Sequence, residues 1–346
     1  MSVIRTVSIG DFLKTRDNLT LIDVRSESEF QKGHILNAIN VPLLNDAERA
    51  EIGTLYKQMG RIEAVKRGLE LVGPNMSQLY SKYIQLQSDS KPLAFYCWRG
   101  GLRSYIAASL SQWSGKPTIQ LLGGYKSYRT HVQNTFNAPY KFLILGGRTG
   151  SGKTEILTKL ATKQFQVLDL EQLANHKGSA FGGLGKPAQP STEMFENLIF
   201  ETVCKFDLGM PILVENESRL IGTCFIPNSL WDNFNTSKIL VIEVDKNTRI
   251  KRLVYEYSHF EISTLIEKTS QLRKRLGGQH LNEAITALEN KDFEHWIDKL
   301  LVYYDKTYDY SIQNNKVRIK SIPFNWSNFE KDLLNIEKTI NHEFKK

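Results

Sequence analysis

The chain has little cysteine and no long apolar run. Its 346 residues include only Cys97, Cys204 and Cys224. An odd, sparse set excludes a disulfide framework and points to free thiols in a reducing compartment. The seven histidines are scattered, and no Cys/His spacing fits a zinc site, so no metal centre of that kind is expected. No apolar stretch approaches the roughly 18–20 residues of a membrane span. Residues 1–6 lack a basic region followed by an apolar core. A cytoplasmic chain with no membrane partner is therefore the expectation. With 41% hydrophobic and 24% charged residues, a mainly disordered, collagen-like or coiled-coil chain is excluded. The length suits two domains.

The most informative absence is local. From Ser90 to Thr154 there is no Asp or Glu, where about seven would be expected at the chain's average frequency. The same stretch holds nine cations: Lys91, Arg99, Arg103, Lys116, Lys126, Arg129, Lys141, Arg148 and Lys153. The whole chain carries +8, so the remainder is slightly acidic. A long basic stretch without acids reads as a place for anions, phosphate esters or nucleic acid first.

Strand-like and helix-like patterns alternate in two series. In the first, strands are expected at Leu19–Val24, Ile39–Pro42, Leu93–Tyr96 and Ile119–Leu122. Helical periodicity runs from Glu48 to about Leu71 and over Ser104–Gln112. Asn137-Ala138-Pro139 reads as a linker between a domain of residues 1–136 and one of residues 140–346. The second series has strands at Phe142–Leu145, Val167–Leu170, Ile212–Val214 and Ile239–Val244, with a helix at Glu193–Phe206. A mostly helical part follows from Arg249 to Tyr310, then a strand at Val317–Ile322 and a helix at Trp326–Phe344. Strands alternating with helices predict an α/β fold with parallel sheets in both halves.

Two loops carry chemistry. Gly147-Arg148-Thr149-Gly150-Ser151-Gly152-Lys153-Thr154 fits the P-loop pattern and lies between a strand and a helix. Its N–H groups and the helix N-terminus would hold phosphate oxygens. Lys153 would neutralise them, and Thr154 is available to a magnesium ion. Where an NTPase normally carries an Asp, this chain has Glu215, followed by Glu217. That leaves NTP hydrolysis open. The second loop, Cys97-Trp98-Arg99-Gly100-Gly101-Leu102-Arg103, also joins an apolar strand to a helix. Backbone N–H groups, a helix dipole and two arginines would lower a thiol from about 8.5 towards about 6, making Cys97 a nucleophile. Cys204 and Cys224 lack such a setting and read as packing residues.

The first half resembles a rhodanese domain. The residues that carry the likeness are Leu21-Ile22-Asp23-Val24-Arg25, Glu29-Phe30, Gly33-His34-Ile35, Ala38-Ile39-Asn40-Val41-Pro42 and the Cys97 loop. A rhodanese domain followed by a P-loop NTPase/kinase-like α/β domain with a helical C-terminal part resembles the bacterial tRNA 2-selenouridine synthases. Cys97–Gly101, Gly123–Arg129, Asp169–Gly182 and Glu215–Arg219 match that family.

The resemblance implies a transferase acting on tRNA. The sulfur of a wobble 2-thiouridine would be replaced by selenium from selenophosphate, through an S-geranyl intermediate made from geranyl diphosphate. Cys97 matches the family's active-site cysteine, which carries selenium as an S–Se species, with Arg99 and Arg103 beside it. No cofactor would be permanently bound. A selenophosphate-supplying enzyme is an expected partner, and a monomer is the expected state. The P-loop is expected to take geranyl diphosphate rather than ATP, because it stabilises a diphosphate leaving group. Tyr125, Lys126, Tyr128 and Arg129 are candidates for gripping tRNA. Trp98 either stacks on a base or packs. Asp169, Glu171, Asn175, His176, Ser179, Glu215, Glu217 and Arg219 are candidates for the ligand cleft. Arg249, Arg252 and Arg273-Lys274-Arg275 read equally as phosphate contacts or as solvated helix faces.

Two other readings compete. The Cys-x5-Arg spacing of Cys97 and Arg103, with the basic helix after Val244, fits a cysteine-dependent phosphatase or arsenate reductase fused to a small kinase. A non-catalytic RNA-binding module would use the P-loop only to grip a phosphate backbone.

Overall fold

The computed structural model describes residues 4–88, 90–313 and 319–344. It divides into two compact units. One comprises Met1–Asn137 with Glu193–Glu201, the other Ala138–Thr192 with Thr202–Lys346.

The first unit is built on a five-stranded parallel sheet of β1 (Arg5–Val7), β2 (Thr20–Asp23), β3 (Ile39–Asn40), β4 (Leu93–Tyr96) and β5 (Thr118–Leu121). Its order is β1-β5-β4-β2-β3. Leu93, Ala94, Phe95 and Tyr96 are all buried, as a central parallel strand covered on both faces requires. Ile22, Val24, Phe95, Tyr83 and Ala107 form the core beneath the Cys97 loop. The long helical pattern from Glu48 is two helices, Asp46–Met59 and Arg61–Val72, broken at Gly60. Two further helices, Met76–Leu86 and Gly124–Thr135, have no counterpart in the sequence pattern read above.

The second unit repeats the scheme with β6 (Phe142–Gly146), β7 (Gln166–Leu168) and β8 (Ile212–Glu215). A short hairpin of β9 (Leu220–Ile221) and β10 (Cys224–Phe225) follows, then β11 (Lys238–Glu243) and β12 (Ile319–Pro323). The five-stranded sheet has order β12-β11-β6-β8-β7 and is parallel throughout. Residues 317 and 318, the start of the last strand expected from the sequence, lie outside the described residues. Helices Lys246–Tyr257, Ile262–Gln271, Gly278–Glu289 and Phe293–Gln313 form the helical part, packed around buried Trp296 and Leu281. In each unit the chemistry-bearing loop follows the middle strand of five, β4 or β6. The carboxyl ends of parallel strands are where such sheets open crevices for ligands.

One segment departs from the boundaries read in the sequence. Glu193–Glu201, placed there in the domain of residues 140–346, groups with the first unit. Polar contacts explain this. Arg16 and the Tyr128 hydroxyl both bond Glu201, the latter at 2.9 Å. Arg129 bonds Glu196 and the Asn197 side chain. Asn197 donates to the Tyr125 hydroxyl at 2.8 Å and to the His34 carbonyl at 2.9 Å. The Phe200 ring meets Tyr128 edge-on. Cys204 also differs from expectation: the helix ends at Val203, and Cys204 stands exposed just beyond it, whereas Cys224 is buried.

Arg129→Ala leaves Asn197 and Glu196 without this partner. An unsatisfied buried polar group costs about 1–3 kcal/mol, so the unfolding midpoint in a thermal or urea titration should fall measurably. Affinity for tRNA should stay at the wild-type value. Unchanged stability with weakened tRNA binding would show instead that this guanidinium reads phosphate.

Candidate active site

Cys97 is buried at the carboxyl end of β4, on the floor of a groove of about 700 Å³. The helices Asp46–Met59 and Arg61–Val72 form one wall of the groove, and Trp98–Arg103 with Ile106 form the other. The Ser104 hydroxyl stands 3.3 Å from the sulfur. Gln120 fixes that hydroxyl by donating to it at 2.9 Å and to the Gly100 carbonyl at 3.1 Å. Ser104 therefore keeps its proton free to point at the sulfur or at the Gly101 carbonyl, 3.1 Å away. Gln120 and Ser104 carried no signal in the sequence, because their role depends on β5 pairing with β4.

The loop's shape comes from the next helix. Tyr125 and Lys126 donate their backbone N–H groups to the carbonyls of Cys97 and Trp98, both at 2.8 Å. The helix N-terminus, which leaves N–H groups unpaired, thus grips the cysteine loop. Gly124 makes the approach feasible. Its φ is +57°, and a Cβ there would lie 2.2 Å from the Cys97 carbonyl oxygen. This gives a physical reason for Gly123-Gly124 preceding Tyr125.

Both arginines expected beside Cys97 line the same groove. Arg103 bonds Glu29 at 2.6 Å, so its charge is already shared with a carboxylate. Arg99 is exposed on the groove's lining. Of the tRNA candidates, Lys126 is exposed and Trp98 is 37% exposed. Tyr125 and Tyr128 are fully buried and Arg129 nearly so, all three engaged by Glu193–Glu201. Their side chains are buried against that segment rather than turned to solvent.

The phosphate loop follows β6. Lys153 donates to the Gly147 carbonyl at 3.0 Å and stands 3.3 Å from Glu215. Thr154 donates to Glu215 at 2.9 Å. Ser151 is buried, with its hydroxyl unpartnered. Arg148 turns to Asp309 at 2.8 Å. Arg249 is buried and not a solvated face. It donates to the Thr149 carbonyl at 3.1 Å and forms two 2.8 Å bonds with Asp305, bracing the loop from behind. Trp326 lies over Gly152 so closely that a Cβ there would sit 2.1 Å from its ring. The Arg252 guanidinium stacks on that indole, 3.4 Å from a ring centroid. Neither Trp326 nor Arg249 lies near the loop in sequence, which is why sequence alone does not assign them.

A cleft of about 1520 Å³ opens before the loop. Thr149, Gly150, Lys153 and Thr154 line it, with Glu171, Ser179, Glu215, Glu217 and Arg219. Asp169 and His176 do not. Asp169 caps the short helix Leu170–Leu173, accepting from the Gln172 N–H at 2.8 Å. His176 packs against Gly182, and Asn175 bonds the Ala188 carbonyl. Carboxylate oxygens of Glu171, Glu215 and Glu217 lie within 4.8 Å of one another. Burial, then the charge of Glu215, raises both Glu171 and Glu217 above the ordinary glutamate value.

Both groups therefore hold protons in the native state that they lose when the chain unfolds. Stability must fall as pH rises above the ordinary value of 4.5. The thermal midpoint should drop between about pH 5 and about pH 9, and Glu217→Gln should flatten that slope. A slope unchanged in the variant would count against these shifts.

The comparisons with known proteins agree with this architecture. Residues 10–131 match the rhodanese-like domain, and residues 140–325 match the tRNA 2-selenouridine synthase AAA domain. A tRNA 2-selenouridine synthase of Sulfurovum sp. (strain NBC37-1) is 36% identical over 337 residues, covering 88% of this chain and 91% of that protein. The enzyme of the same name from Shewanella denitrificans is 34% identical, covering 89% and 91%. That of Nitrosomonas europaea is 33% identical, covering 86% and 90%. On both halves and at this coverage, the chain belongs to the tRNA 2-selenouridine synthase family.

Proposed function

We propose that this protein replaces the sulfur of wobble 2-thiouridine in tRNA with selenium from selenophosphate, through an S-geranyl-2-thiouridine intermediate made from geranyl diphosphate. The observation that carries the reading is Cys97 on the floor of a groove walled by hydrocarbon and cations. The sulfur of a 2-thiouridine is a poor leaving group until it is alkylated. In the first step that sulfur attacks C1 of geranyl diphosphate, and diphosphate departs. In the second, water attacks the phosphorus of selenophosphate, the P–Se bond breaks, and phosphate and hydroselenide are released. The resulting hydroselenide adds at C2 of the base, expelling the geranyl thiolate. Cys97 is the residue at which selenium meets the base.

The P-loop serves the first step. Lys153, Thr154 and the loop N–H groups stabilise charge as it develops on the departing diphosphate. A magnesium ion fits the chemistry of the donor set: Glu171, Glu215 and Glu217 offer hard oxygens within 4.8 Å of one another. When bound, it would add positive charge at the leaving group. These carboxylates would hold the ion, leaving Lys153 for the phosphate. The reaction belongs in the cytoplasm with tRNA and with an enzyme that supplies selenophosphate, and a monomer suffices for it.

Lys153→Ala should weaken geranyl diphosphate binding by about tenfold to a hundredfold, the scale of a lost charged hydrogen bond. Equilibrium titrations with geranyl diphosphate and ATP test this. Tight, Lys153-dependent ATP binding with no geranyl diphosphate binding would overturn the assignment of the loop. For Cys97→Ala, mass spectrometry of nucleosides from thiolated tRNA incubated with both small substrates should show S-geranyl-2-thiouridine accumulating and no 2-selenouridine. Normal 2-selenouridine would overturn the assignment of Cys97.

A further inference from the structure

The groove over Cys97 has two unlike parts. Its walls are hydrocarbon: Leu43, Leu44, Ile52, Val65, Leu69 and Ile106. Its charged lining consists only of cations. Lys57, Arg61 and Arg99 among them form no ion pair within the described residues, and no acidic side chain lines the groove. Leu69 is 57% exposed and Leu102 is 44% exposed, so the apolar surface is open to a ligand rather than sealed as core. Its volume of about 700 Å³ falls in the usual range of about 300–1,000 Å³ for small-molecule sites.

An apolar trough edged by unpaired cations suits a hydrocarbon substituent carried on a polyanion. The cations meet phosphates, and the trough removes the chain from water. A purely apolar partner would leave the cations desolvated without counter-charge. A plain nucleic acid would leave the leucines unused. Cys97 on the floor identifies which atom of the polyanion comes close, namely the alkylated position of the base. We propose that this groove is the subsite for the alkyl chain of the S-alkylated tRNA base. It holds the hydrophobic leaving group while C2 of the base faces Cys97. The inference rests on the alkylated intermediate of the reaction proposed above. It assigns the chain's second station, separate from the P-loop at which the chain is donated.

Binding to synthetic anticodon stem-loop RNA tests it directly. The full-length protein is titrated with RNA bearing S-geranyl-2-thiouridine and with the same RNA bearing S-methyl-2-thiouridine. Wild type should bind the geranyl RNA at least about tenfold tighter, since burying even two methylenes gives that ratio. Leu69→Glu, a surface change, should bring the ratio close to one, even though its added negative charge weakens the binding of both RNAs. Leu69→Met should keep the wild-type ratio. A ratio near one for wild type, or an unaltered ratio in Leu69→Glu, would overturn the proposal. So would Leu69-dependent binding of free geranyl diphosphate without any preference for the geranyl RNA, because the chain would then enter as its diphosphate. The synthetic RNAs make this result independent of whether the protein forms the geranyl nucleoside itself. That failure would appear in the nucleoside assay and would overturn the proposed reaction alone.

Discussion

The cations of Ser90–Thr154 have no carboxylate in their own stretch of chain, so the fold must bring acids to them from elsewhere. Arg103 receives Glu29, Arg129 receives Glu196, Arg148 receives Asp309 and Lys153 receives Glu215. Burying a cation without such a partner costs several kcal/mol. Each pair therefore ties a functional loop to a distant segment. The pairing of Arg129 is the one that draws Glu193–Glu201 onto the first unit, joined there by Arg16 with Glu201. What remains unpaired, including Arg99 and the exposed Lys126, is the smaller charge actually available to a polyanion.

Both units solve the same geometric problem alike. A parallel sheet ends its middle strand in a loop, and a helix N-terminus stands close by. In the first unit the N-terminus of Gly124–Thr135 is spent on the carbonyls of Cys97 and Trp98, so it shapes the loop instead of meeting an anion. In the second, the loop wraps its own helix N-terminus, while Arg249 and Trp326 support it from behind and above. The difference suits the chemistry. In the reaction proposed above, a thiol would need a rigid floor, whereas a diphosphate would need free N–H groups and a cation.

The crowding of Glu171, Glu215 and Glu217 is balanced by one lysine. Desolvation and the charge of Glu215 raise Glu171 and Glu217, which keeps the site from accumulating full negative charge. A site of this kind changes its charge with its occupancy. The cysteine groove is different in kind, apolar and basic with no acid at all.

Much of this was legible in the sequence. Parallel α/β sheets in both halves follow from strands alternating with helices. The P-loop and the Cys97 loop are recognisable locally, because glycine spacing at a strand-to-helix junction marks them, although distant segments complete their shape. Neighbours in space are a different matter. Tyr125, Tyr128 and Arg129 look like RNA contacts in a basic stretch, yet a helix some seventy residues on buries them. Arg103 looks free to assist the thiol, yet it meets Glu29, seventy-four residues away. The groove of Leu43, Ile52, Val65 and Leu69 is indistinguishable from core by periodicity, since an apolar helix face reads the same whether covered or open. The sequence by itself determined the two folds, the two loops and the surplus of positive charge, because these depend on residues close together in the chain. Only the tertiary structure decided which charges are neutralised and which apolar faces stay open, because burial and ion pairing depend on segments that the chain keeps far apart.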